Sequence, residues 1–313
     1  SNMVARKFPI ASLLPLTREL GIFALFTLIA LALTWPLMRE PASTVADVGV
    51  LDQVLNARFL KNSLEWMLGN RLGPFDGDFY FPHVNVFATT DPCLGVALLA
   101  LPFRAFTADY LLLVNIVIFL SFPLAAHGAY LLGTKLSGSR AAGLIAGAAF
   151  GFCAYRIHQL DHVSLLQMQW LPYSLYFLHR LRDNPSFGNA AGFALMFFLN
   201  TMGSSAIGFY SLPVYPAVAI WALVTVARER RLRFFLMLAG ATAVGVAALA
   251  PFILPYFTAR DIYGMKRSAT EANNCAAHLE QLVAMPKWNL LYGKSTSKWM
   301  GAESAVFLGV SVL

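Results

Sequence analysis

The sequence predicts an all-α, polytopic membrane bundle, and three observations carry that prediction. Apolar residues make up 58% of the chain and charged residues only 12%, against roughly 45–50% and about 25% in soluble domains. Apolar runs close to the roughly 18 residues that cross a bilayer recur along most of the chain. Basic clusters fall between alternate runs, as they do in cytoplasmic loops. The same rule accounts for the net charge of +7 without a nucleic-acid partner. No basic run is interleaved with aromatics in the manner of single-strand binders.

Taken in order, the expected spans are 21–38, 110–134, 141–157, 163–178, 189–203, 207–226 and 233–257, with a further one opening near Ala305. The opening Ser-Asn-Met reads as the scar of a cleaved tag and is set aside. The first run is long and lacks a small-residue cleavage site, so it reads as a signal anchor. Arg6, Lys7 and Arg18 precede it; "TKLSGSR", "HRLRD" and "ARERRLR" supply the later basic clusters. Placing all four in the cytoplasm puts residues 1–20 inside, a membrane core over 21–257, and loops 39–109 and 258–302 in the periplasm. Residues 303–313 then begin another helix. "CLGVALLALPF", 93–103, is too short to span and reads as an interfacial or re-entrant helix. Three cysteines, Cys93, Cys153 and Cys275, exclude a disulfide framework and a four-ligand zinc site. Cys93 and Cys275 could meet on the outer face.

Two stretches could carry chemistry. In "DVGVLDQVLNARF" the residues Leu51, Leu55 and Phe59 have helical spacing, so this stretch is expected to lie in the interface as an amphipathic helix. Asp52 and Asn56 share another face of it, where a carboxylate is placed to take a proton from a hydroxyl acceptor. A solvated or helix-starting Asp is the plain alternative. The second stretch, "YRIHQLDHVSLLQMQW", crowds Arg156, His158, Asp161 and His162 into a short outward turn. Ionisable groups at that depth are costly and mark functional cavities. A cation there could pair with phosphate, and Asp161 could hold a divalent metal; equally, Arg156 and Asp161 could form an ion pair that closes a helical hairpin. In "PFDGDFYFPH" the pattern Asp76-Gly-Asp78 resembles metal–phosphate sites, but the flanking Pro and Gly also make an ordinary turn. His127 and His179 read as structural.

The order of these pieces resembles the bacterial membrane glycosyltransferases of the GT-C superfamily, relatives of protein O-mannosyltransferases and aminoarabinose transferases. "DQVLN" at 52–56 comes first, then "FYFP", "TTDPCLGVALLALPF", "GTKLSGSRAAGLIAGAAFGF", "HQLDHVSLLQMQWLPYSLYFLHR" and "GAESAVFLG". The resemblance implies an inner-membrane, cell-envelope enzyme with a GT-C helical bundle. It implies a polyprenyl-phosphate sugar as donor and inverting transfer, on the periplasmic face, to a glycan, lipid or protein acceptor. Carried over by position, the catalytic base is Asp52, which stands in the D-x-x-L-N frame where Asp47 does not. Asp161 matches a second outward acid. Relatives of this branch more often place Gly before the His, so "DH" leaves open whether Asp161 or His162 works. Arg156, His158, Asn56 and Glu303, the acid ahead of the last span, are the expected substrate contacts. A Mg or Mn ion on Asp161, or on Asp76 and Asp78, is the one cofactor considered. Relatives continue through further spans beyond this C-terminus. The competing expectation is a lipid-linked-glycan transporter or flippase, or a non-catalytic protein of the same fold. Ionisable residues deep in spans would favour transport.

Overall fold

The computed structural model describes residues 14–46, 51–71, 73–77, 83–266, 268–274, 278–285, 287, 289 and 293–299. All regular structure among them is helical. In chain order the main helices are α1 Leu14–Leu33, α2 Trp35–Arg39, α3 Leu51–Met67, α4 Leu94–Arg104, α5 Tyr110–Ser137 and α6 Arg140–Gly151. They continue as α7 Ala154–His158, α8 Trp170–Asp183, α9 Phe187–Gly203, α10 Ser205–Ser211, α11 Val214–Thr225 and α12 Arg228–Tyr263. Among the described residues, three helical segments are long and apolar enough to cross a membrane: α5, the continuous stretch Ser205–Thr225, and α12.

The other expected spans are cut differently. The run expected at 141–157 splits into α6, of 12 residues, and the short α7. The run at 163–178 becomes the 3-10 segment Leu165–Gln169 followed by α8, of 14 residues. Hydropathy runs straight through the first break because Cys153 is as apolar as a helix interior; the second is centred on Gln167, whose backbone leaves helical geometry inside a run that is apolar on average. The run at 189–203 forms α9, of 17 residues. Hydroxyl and carboxylate caps set where several of these helices start. Asp109 accepts from the Leu111 and Leu112 amides at the head of α5, and Ser139 and Ser186 cap α6 and α9; each side-chain acceptor satisfies an amide that has no partner within the helix.

α5 is the central post. α6 lies against it through Gly143, Gly147 and Gly151, where a Cβ would come within 2.8 Å of the Tyr130 carbonyl, 2.7 Å of the Ala126 carbonyl and 2.5 Å of the Ala126 Cβ respectively. Small residues one turn apart let two backbones approach this closely, the usual solution where hexane-like surroundings give no hydrophobic drive between helices. α4 is too short to span, as expected. One face packs against protein, with Gly95 against the Gly203 backbone and Leu94, Val96, Ala97 and Ala100 buried, while Leu98 is exposed on the other.

α3 corrects one expectation. Phe59 does not share a lipid face with Leu55: it is buried edge-on against Phe87, with ring centroids 5.3 Å apart, while Leu55 is exposed. Helical spacing identifies residues that share a face, but it does not say whether protein or lipid covers that face. Here Gln53, Phe59, Leu60, Ser63 and Leu64 turn inward.

Candidate functional site: a carboxylate–imidazole–carboxylate cluster

α3 is fixed before it presents any side chain. Gln53, fully buried, donates its amide to Asn115 of α5 and accepts from the Ala46 amide. The Asn115 amide in turn donates to the Pro41 and Thr44 carbonyls, at 2.7 and 2.8 Å. These two amides were not among the expected site residues. Asn115 had a visible signal, a lone amide in the apolar run "YLLLVNIVIFL"; such residues in membrane helices usually bond across to a neighbour.

The second half of the site is the loop between α7 and α8. Arg156 does not face a substrate. It is 0% exposed, donates to the Leu166 carbonyl and to Ser121 Oγ, each at 2.9 Å, and lies over the Phe122 ring at 5.0 Å. The expected phosphate contact is therefore corrected, and so is the Arg156–Asp161 ion pair, because Asp161 bonds elsewhere. Arg156 clamps residues 157–165 into a loop by tying its own helix to the far end of that loop, and this sets Asp161 and His162 at the apex.

The two halves meet. Asn56 of α3 donates to the Asp161 carbonyl at 2.7 Å, across a separation of 105 residues. This bond ties the loop to α3 and uses one N–H of the Asn56 amide. His162 Nδ1 stands 2.9 Å from Asp161 Oδ1, and its Nε2 3.6 Å from Asp52 Oδ2. Since a carboxylate only accepts, Nδ1 carries a proton, and Nε2 turns toward Asp52. A neutral ring would then aim a lone pair at a carboxylate. The geometry is favourable when a second ring proton, a cation or a donor hydroxyl lies in that gap. The side chains of Asp52, His162 and Asp161 are 54%, 33% and 28% exposed, open enough for an incoming molecule. Oxygen and nitrogen ligand atoms of all three fall within 4.8 Å of one another.

Other expected site residues lie apart or cannot be placed. His158, at the end of α7, is half-buried and makes no described hydrogen bond. Asp76 accepts from the Asn85 amide at 2.9 Å, nine residues on, and does not join the cluster. Asp47, Asp78, Glu303 and Cys275 lie outside the described residues. Cys93 and Cys153 are free thiols, and Cys93 is buried.

Asp91 is not among the expected site residues, yet among the described acids its pKa is the most perturbed. Its carboxylate accepts from the Cys93 amide, the Ser204 hydroxyl and the Ser205 amide, and joins the head of α4 to the α9–α10 corner. Loss of water raises its pKa to about 6, against the opposing pull of those three hydrogen bonds.

No family model matches this chain, and neither a curated protein nor a solved structure does.

Proposed function

We propose that the protein is an integral membrane glycosyltransferase of the GT-C type that takes its sugar from a polyprenyl phosphate. The convergence of Asp52 with Asp161 and His162 is the observation that carries this reading. In the reaction the acceptor oxygen attacks the anomeric carbon from the face opposite the phosphate. The bond to the phosphate oxygen breaks and the configuration inverts. Asp52 takes the hydroxyl proton, and its exposure leaves room for an acceptor beside it. His162, with Asp161 holding its ring, supplies the positive partner for the charge that develops on the departing phosphate.

A divalent ion fits the same donors. His162 Nε2 and the Asp52 carboxylate would hold it while Asp161 orients the ring, the usual support for a ligating histidine. A mixed imidazole–carboxylate set suits Mn better than Mg, which prefers oxygen alone. Such an ion would neutralise phosphate charge. Arg156, sealed in the interior, is not needed for that role.

The transporter reading has one observation of its own: Glu19 and His127 form an ionisable pair between α1 and α5, at 3.7 Å. The distinguishing experiment is transfer of radiolabelled sugar from a polyprenyl phosphate by the full chain and by Asp52→Asn. General-base catalysis is worth roughly 10²–10⁴-fold, so transfer should fall by that factor with unfolding in detergent unchanged. Asp47→Asn, outside the motif frame, is the control. Near-normal transfer by Asp52→Asn removes the assignment.

A further inference from the structure

The far end of α8, away from the cluster, carries a different chemistry. α8 begins just after the Asp161–His162 loop and ends at Arg182 and Asp183, about 20 Å on for its 14 residues. There, Arg182, Asp183, Thr225, Arg230 and the Val226–Ala227 link between α11 and α12 line an open pocket of about 290 Å³. A second groove, about 300 Å³ and almost wholly apolar, runs between α9 and α12 along Ala190, Ala194, Met237, Gly240 and Val244. The two helices are parallel: Gly245 faces Phe197, and Phe198 faces Phe252. Arg230 and Met237 are seven residues apart, so they share a face of α12 roughly 10 Å apart along its axis. The polar pocket thus borders α12 at Arg230, and the apolar groove borders the same helix from Met237 to Val244.

We propose that this pair of cavities is a binding site for an anionic glycerophospholipid. Its phosphate would sit between Arg182 and Arg230, and one acyl chain would lie in the α9–α12 groove. Charge complementarity selects the occupant. Arg182 uses Nε on Thr225 and Nη1 on Asp183, and Arg230 uses Nη1 on the Asp183 carbonyl. A guanidinium has five N–H donors, so each arginine keeps donors for a phosphate. Arg228, Arg231 and Arg233 follow in sequence, opposed by Glu229. The starts of α9 and α12 point the positive ends of their dipoles the same way. Basic pockets between membrane helices are where anionic headgroups bind, and Ala190, Ala194 and Gly240 keep large side chains out of the groove at those positions. The proposal rests on the membrane reading of α12 and is independent of the transferase reading, since the two sites stand at opposite ends of α8.

The test is thermal unfolding of the delipidated full chain in detergent, titrated with phosphatidylglycerol, phosphatidylcholine or inorganic phosphate. Native mass spectrometry of lipid retained through purification gives a second readout. Phosphatidylglycerol should raise Tm and remain bound; phosphatidylcholine and phosphate should not. Arg182→Gln and Arg230→Gln should each weaken phosphatidylglycerol binding about five-fold, the effect of one cation near an anionic headgroup. Gly240→Leu fills the groove, and a Cβ there meets nothing within 4 Å. It should fold normally and lose phosphatidylglycerol binding. Equal response to both lipids, an equal shift from phosphate alone, or full phosphatidylglycerol binding by Gly240→Leu overturns the proposal.

Discussion

His162 and His127 have nearly the same polar neighbours and opposite surroundings. Each ring stands about a salt-bridge length from a carboxylate on one nitrogen, 3.6 Å from Asp52 and 3.7 Å from Glu19. Each is hydrogen-bonded on the other, to Asp161 and to the Tyr173 hydroxyl, both at 2.9 Å. His127, however, sits inside α5 with Phe23, Tyr130 and Tyr173 rings around it, and its side chain is 16% exposed against 33% for His162. His162 has two carboxylates and stands on a loop; His127 has one carboxylate and a phenol and ties three helices, α1, α5 and α8. Residue type and pair distance therefore do not distinguish the two histidines. The second partner and the access of solvent do.

The largest effect that sharpens this contrast is on transfer. His162→Gln should reduce it by roughly 10²-fold or more, the range for a positioned acid or base, with Tm nearly unchanged. An undiminished rate would put His162 in the same class as His127.

The next effect is on stability. Arg156→Ala leaves the Leu166 carbonyl and Ser121 without their donor and opens a cavity over Phe122. It should cost about 2–4 kcal/mol in detergent unfolding and reduce transfer by releasing the Asp161–His162 loop. A variant as stable as the parent would show that the loop does not depend on this clamp.

Asp91 gives a smaller, pH-dependent effect. Its folded pKa of about 6 lies above its ordinary 3.8, so the folded state binds the extra proton between those values. The stabilisation is complete below about 3.8 and is lost as pH rises through about 6. Asp91→Asn should flatten the fall in Tm across that window; an unchanged slope would assign the dependence to other groups. The smallest effect is expected at the packing histidine. His127→Gln should change transfer less than about two-fold and lower stability by about 1 kcal/mol, the worth of one hydrogen bond. A large loss of transfer with intact folding would instead place His127 beside His162 in the proposed chemistry.

What was legible in the sequence follows the same division. Long apolar runs correctly located α5, α12 and the helical stretch 205–225, because backbone satisfaction in lipid demands such runs. They misjudged 141–157, where the chain breaks beside the apolar Phe152 and Cys153, and 163–178, where it kinks at Gln167; averaged hydropathy passes over one or two residues of either kind. Phe59 was placed on the wrong face because periodicity cannot name what covers a helix. Arg156 was read as a cation in a cavity; that its cavity is sealed by Ser121, Phe122 and Leu166 depends on contacts across separations of 10 and 35 residues. Asp52 is legible as a carboxylate on an amphipathic helix, and Asp161 and His162 as ionisable residues crowded into a short turn, with motif order added to both; the amides that position α3, Gln53 and Asn115, bond over a separation of 62 and leave only the trace of one amide in a span.

The most direct test of the central claim is a double-mutant cycle in the sugar-transfer assay, comparing Asp52→Asn, His162→Gln and the two combined. Residues that act as one unit lose nearly everything at the first substitution. The account predicts that the double variant transfers sugar within about three-fold of the slower single variant. Losses that multiply would show Asp52 and His162 acting independently, and would contradict a single carboxylate–imidazole site.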